Sequence, residues 1–153
     1  MIEGDIDALR DDLIEAKAQF DYYHDECRQD HKAPCLKTYM PLSDQILRAR
    51  KAFLAGLDSL TVDTLGLQAL SPSGRLLVLT ASAQKPGHYQ LTRFDDEGAP
   101  WGDTNYGSKA AALADFVQES DLATIQDYAN SRILPLELLT LQDANLLPPR
   151  PSR

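Results

Sequence analysis

Four of the five cysteine and histidine residues in the chain, His24, Cys27, His31 and Cys35, fall within twelve positions. Their H-x2-C-x3-H-x3-C spacing uses the thiolate and imidazole donors that ligate zinc. Helical geometry restricts what they can do. Cys27 and His31, four residues apart, share one helical face, whereas His24 and His31 would be ~10.5 Å apart along the axis at ~1.5 Å per residue. Zinc–ligand bonds of ~2.0–2.3 Å cannot bridge that distance on a straight helix. What remains is a site on Cys27, His31 and Cys35, with Cys35 folding back after Pro34 and His24, Asp30 or water as a fourth ligand. The competing reading is a helix with a packed Cys27 and two solvated histidines. It is favoured, because free cysteine is among the most buried residue types. No cofactor is thus the leading expectation and zinc the alternative. A Cys27–Cys35 disulfide would need the chain to double back, since a continued helix separates their Cα atoms by ~12 Å against a limit near ~7 Å.

Other chemistry is sparse. The sequence has no G-x-S-x-G, no phosphate-binding loop, no dinucleotide glycine fingerprint and no H-E-x-x-H. Cys27 and His31 would suit a nucleophile–base pair, but no pocket signal accompanies them, so no catalytic residue is assigned and an enzyme is not expected. Asp95, Asp96, Glu97 and Asp103 miss the spacing of an EF-hand loop and read as acidic hairpin turns.

Charge is more informative, because it is unevenly placed. Residues 1–31 carry ten acids against three Lys/Arg, and residues 32–61 carry five Lys/Arg against two acids, within a chain of net charge −8. An acidic surface repels phosphates and attracts basic partners, so direct nucleic-acid binding is disfavoured. No stretch approaches the ~18 apolar residues of a membrane span, so no membrane partner is expected. The acidic N-terminus lacks a basic, then apolar, export signal. With only two cysteines, a cytoplasmic setting is the expectation.

The elements that must position these residues follow from periodicity. Ile2, Ile6, Leu9, Leu13, Ala16, Phe20, Tyr23 and Cys27 alternate steps of four and three, which predicts one amphipathic helix over 2–29. Lys32-Ala33-Pro34 ends it. Ser43 reads as the N-cap of a second helix whose seam is Ile46, Ala49, Phe53 and Leu57, widened by Leu47 and Leu54. An acidic helix followed by a basic one predicts an antiparallel helical hairpin over 2–58, held by its apolar seam, with complementary charges selecting its register.

After Gly56 the period shortens. Thr64–Leu70, Arg75–Ala83, His88–Phe94 and Trp101–Tyr106 are β-prone segments separated by short Gly- and Pro-containing turns, predicting a four-stranded antiparallel meander. Ser108 caps a helix to Gln118, Asp121 caps another to about Arg132, and Leu134–Leu141 forms a last short one. The expected class is α+β, one domain over 1–147 with the sheet and its helices in 62–147, and a disordered tail at 148–153.

The functional expectation is a non-enzymatic acidic protein-binding or regulatory module that engages a basic partner surface. Asp11, Asp12, Glu15, Asp21, Asp25 and Glu26 line the outer faces of the first helix, with Tyr22 among them, and Trp101 offers an aromatic contact elsewhere. One concrete form is an inhibitor of a nucleic-acid-processing complex, its carboxylates imitating a phosphate backbone. The alternative is a small zinc-stabilised structural or sensory module using His24, Cys27, His31 and Cys35. A homodimer through the first helix is a further expectation.

Overall fold

The apolar heptad of the first thirty residues produces helix α1 over Glu3–Gln29 in the computed structural model, which describes residues 3–33, 35–62 and 64–129. Ile6, Leu13 and Ala16 of the seam are buried, and Leu9, Phe20, Tyr23 and Cys27 are half-buried. Arg10 joins that face as well. It is 1% exposed, and its guanidinium pairs with Asp7 at 3.3 Å. Burial pulls the Arg10 pKa down while Asp7 and Asp11 push it up.

Helix α2 spans Leu36–Leu60 and starts seven residues before the expected Ser43 cap. Pro41 is the sixth residue of the helix, past the unpartnered N–H groups of its first turn, and its missing N–H removes one helical bond. Cys35 begins the helix: its carbonyl accepts from Thr38 and Tyr39, and its own N–H donates to the Tyr23 hydroxyl at 2.8 Å. The helical hairpin is closed further by Phe20 and Tyr39, whose ring centroids lie 5.0 Å apart. Leu47 does not widen the seam; it is exposed. Nor do charges lock the register, since among the described residues no ion pair joins α1 to α2.

The chain divides into two compact units, Ile2–Gly56 and Leu57 onward, with the boundary inside α2. In the second unit, β1 (Gly66–Leu70), β2 (Leu76–Ala81), β3 (Tyr89–Phe94) and β4 (Pro100–Tyr106) form the antiparallel meander. Helix α3 (Lys109–Glu119) follows, with the Ser108 hydroxyl accepting from the Ala111 N–H as its cap. Asp121 caps only the 3-10 turn Leu122–Thr124, in place of the helix expected from there, and Gln126–Asp127 then form β5. This strand makes the sheet five-stranded, in the order β4-β3-β2-β1-β5. Pairing with β5 covers part of an edge of β1 that would otherwise be a bare row of donors and acceptors. The class is α+β. The expected helix at Leu134–Leu141 and the tail at 148–153 lie outside the described residues.

One face of the sheet carries Leu67, Leu79 and Leu91, register partners across β1, β2 and β3 and all fully buried. Ala112, Leu113, Phe116 and Val117 are the buried positions of α3, at the spacing of one helical face. Two polar contacts tie the C-terminal half of α3 to the sheet. Arg93 on β3 donates from Nε and Nη2 to both Glu119 carboxylate oxygens at 2.7 Å, and Tyr106 on β4 donates to Asp115 at 2.8 Å. On the opposite face Leu70 and Leu76 are buried, with Val78 and Phe94 half-buried against them.

β1 and β5 approach closely at Gly66, whose carbonyl accepts from the Tyr128 N–H at 3.0 Å. A Cβ there would stand 2.6 Å from the Ala129 Cβ. Gly66→Ala is expected to destabilise the chain by ~1–3 kcal/mol, the usual cost of overpacking. A chemical-denaturation midpoint unchanged by this substitution would contradict the packing described.

Candidate functional site

The Cys/His cluster is placed first by backbone geometry. α1 ends in a left-handed residue, His31 (φ 55°), with the Lys32 N–H donating to the Cys27 carbonyl at 2.8 Å and the His31 N–H to Arg28 at 3.2 Å. This is a Schellman closure, in which glycine or asparagine usually occupies the left-handed position. His24 stacks on Phe20 at 6.4 Å between centroids. Cys27 is half-buried, Cys35 is exposed, and both are free thiols. Cys35 does fold back, but its backbone meets Tyr23, one turn before Cys27. Among the described residues no group of three or more His, Cys, Asp or Glu is arranged to hold a metal ion.

The acidic residues expected to meet a partner lie on the surface: Asp11, Asp12, Glu15, Asp21, Asp25 and Glu26 are exposed. Three of them have local partners, Glu15 with Gln19 at 3.3 Å, Asp25 with Arg28 at 3.0 Å, and Glu26 with the Tyr22 hydroxyl. Tyr22, 68% exposed, projects between them, and its hydroxyl is held above the usual tyrosine pKa first by a hydrogen bond to Glu26.

Trp101 belongs to the other unit and lies in a more defined setting. An antiparallel meander returns its first and third turns to the same end of the sheet, so 71–75 and 95–99 are neighbours. Arg93 pairs with Gly102 and Phe94 with Pro100, which leaves Trp101 as the extra residue of a β-bulge on edge strand β4. Bulges re-aim side chains and interrupt pairing at sheet edges. Trp101 is 60% exposed and lines two adjoining clefts. The larger, about 400 Å³, is bounded by Arg75, Asp95, Asp96, Glu97 and Trp101. The smaller, about 170 Å³, runs from Arg75 and Trp101 past Phe94 and Leu77 to Arg93 and Glu119.

The carboxylates of the larger cleft differ in availability. Asp95 accepts from the Glu97 and Ala99 N–H groups at 2.9 Å each and so holds the turn. Asp96 pairs with Arg75 at 3.0 Å in an exposed contact. Glu97 is exposed and has no side-chain partner among the described residues. Arg93 at the far end is fixed by Glu119 and by Thr104 at 2.9 Å, and the Glu119 hydrogen bonds raise its pKa despite partial burial. The cleft therefore offers one aromatic face, one uncommitted carboxylate and one that could exchange Arg75 for another cation.

Sequence reasoning named Trp101 but not Arg75, Phe94, Arg93 or Glu119, and it set Asp95, Asp96 and Glu97 aside as a solvated turn. The signal for their convergence was the meander itself, since its topology puts alternate turns at one end. Comparison with protein-family models, curated proteins and solved structures gives no match.

If His31 serves the chain as a helix stop, His31→Gly should stabilise it. Relief of the left-handed strain, ~1–2 kcal/mol, exceeds the chain entropy that glycine adds, ~0.5–1 kcal/mol, for a net gain of ~0.5–1 kcal/mol. Urea unfolding of the variant measures this directly. A loss of stability on removing the imidazole would instead assign His31 a ligand role.

Proposed function

We propose that this chain is a non-enzymatic protein-binding module that engages a basic partner through the turn end of its sheet. Trp101 is the anchor, and Glu97 and Asp96 are the counter-charges. The observation that carries the reading is the largely exposed Trp101 on a bulge beside three carboxylates. A tryptophan face attracts an arginine or lysine head group by ~0.5–1 kcal/mol at an exposed site, and an exposed ion pair adds ~0–1 kcal/mol. Neither term alone binds a partner. Together, in a cleft that also offers Phe94 and Leu77 as apolar floor, they supply the aromatic-centred, charge-rimmed pattern of an interface hot spot.

Recognition by side chains fits this edge better than strand addition does. β4 presents Pro100, a bulge and Asp103 along its length, the features that discourage another strand from pairing there. The partner surface expected is convex and rich in arginine and lysine. The acidic face of α1 is compatible with the same class of partner, including a component of a nucleic-acid-processing complex.

Trp101 is the only tryptophan in the chain, so its emission reports on the cleft directly. Titration with an arginine-rich peptide is expected to change that emission, with affinity falling as salt rises. Glu97→Lys should weaken binding, and Trp101→Ala, followed by calorimetry, should cost ~2 kcal/mol or more. Unchanged emission, or equal affinity for an acidic peptide of the same length, would refute the reading.

A further inference from the structure

The two clefts at the turn end of the sheet share Arg75 and Trp101 as a common wall, yet their chemistry differs. The larger carries the carboxylates of the 95–99 turn. The smaller, about 170 Å³, sets Leu77 and Phe94 beside the tryptophan ring. Its other polar side chains are already engaged. Arg93 donates to both Glu119 oxygens at 2.7 Å and to Thr104 at 2.9 Å, so that pair is neutral and closed. On the turn, Ser71 and Ser73 share a hydrogen bond of 2.9 Å, and the Ser71 hydroxyl also accepts from the Arg75 N–H at 3.2 Å.

These engagements decide what the smaller cleft can receive. A cation would stand beside Arg75, and the carboxylate on the cleft wall, Glu119, is held by Arg93. An anion would have to compete with Asp96 for Arg75, or with Glu119 for a bidentate guanidinium pair, the stronger class of hydrogen bond. A neutral aliphatic side chain displaces neither. It covers Leu77, Phe94 and part of Trp101, and removing that area from water supplies the gain.

We propose that the smaller cleft is a second subsite of this binding end and takes an aliphatic side chain of the partner, next to the basic side chain held at Trp101. The inference rests on the basic-partner reading above and extends it to a motif. In an extended segment, side chains two positions apart point the same way at ~7 Å. That spacing suits two clefts divided by one ring and one guanidinium. The segment read is therefore a protruding loop or tail in which an arginine or lysine and an aliphatic residue are separated by one position. Arg75, on the shared wall, disfavours a second basic side chain in the smaller cleft.

The test is a set of arginine-rich peptides titrated against the full-length chain and read by Trp101 emission. Each has a central arginine, then alanine, then leucine, serine, glutamate or lysine, and a second set carries the same core in reverse order. In one of the two orders leucine is expected to bind about fivefold or more tighter than serine, with glutamate and lysine both weaker than leucine. Ser73 is exposed and borders the smaller cleft but not the larger. Ser73→Glu is expected to abolish the leucine preference and make lysine the favoured residue, with unchanged circular dichroism verifying the fold. Equal binding of leucine and serine in both orders, glutamate or lysine binding tighter than leucine to the unsubstituted chain, or a Ser73→Glu chain that keeps the leucine preference would each overturn the proposal. In those cases the arginines common to every peptide still bind, and the basic-partner reading stands. Failure of every peptide to bind would refute that reading and this proposal with it.

Discussion

The register of Leu67, Leu79 and Leu91 is the constraint on which the second unit depends. These residues face one another across three strands and are fully buried. Side chains alternate along a strand with a period of two, so a slip of one residue would turn all three to the other face. Burial of each is worth ~1.5–3 kcal/mol, enough to make any slipped pairing uncompetitive. The same register puts Arg93 two residues from Leu91 on that face and so within reach of Glu119 at the end of α3. The bidentate pair is an outcome of the apolar row. The pair ties the last residue of α3 to β3.

The bulge at Trp101 follows from that arrangement. β3 and β4 remain in step from Tyr89↔Tyr106 to Arg93↔Gly102, and the extra residue is absorbed just before the 95–99 turn. Gly102 meets no atom within 4 Å of a built Cβ, so it is not required there by crowding. The turn beyond is rigid: Asp95 accepts two backbone N–H groups and Gly98 takes a positive φ of 82°. Trp101 is thus an exposed large side chain on a well-determined backbone. An exposed apolar ring gains little in folding, whereas a rigid one loses little entropy on binding. That combination is why the turn end is a better functional candidate than the acidic helix, whose long side chains must be ordered by a partner.

Much of the fold was legible because it rests on periodicity. The α1 heptad, four strands to within two residues and the Ser108 cap all depend on local pattern and local hydrogen bonding. The failures have identifiable causes. Ser43 has the chemistry of an N-cap, but the Tyr23 hydroxyl bonded to the Cys35 N–H fixes an earlier start, and that contact spans twelve residues. Asp121 has cap chemistry too, and it caps; the helix that should follow is replaced by β5 because β1 offers an edge to pair with. The clefts around Trp101 were illegible for a different reason, since Arg75, Phe94 and Glu119 are brought together only by the sheet.

The Cys/His cluster sits where the backbone makes several demands at once. A helix that must stop and reverse within six residues needs a left-handed residue, a new helix start and polar side chains around them. His31 takes the first position, Cys35 the second, and His24 rests on Phe20 one turn from the seam. Each of these placements has a local cause that owes nothing to the other members of the cluster. The charge asymmetry stands apart from this. Ten acids in the first 31 residues and the bases of α2 do not set the hairpin's register, because it closes on apolar seam residues and among the described residues no ion pair joins its two helices. Like charge crowded on one helix is a cost to the isolated chain at each i,i+4 pair. Local pairs, Asp7 with Arg10 and Asp25 with Arg28, offset part of that cost.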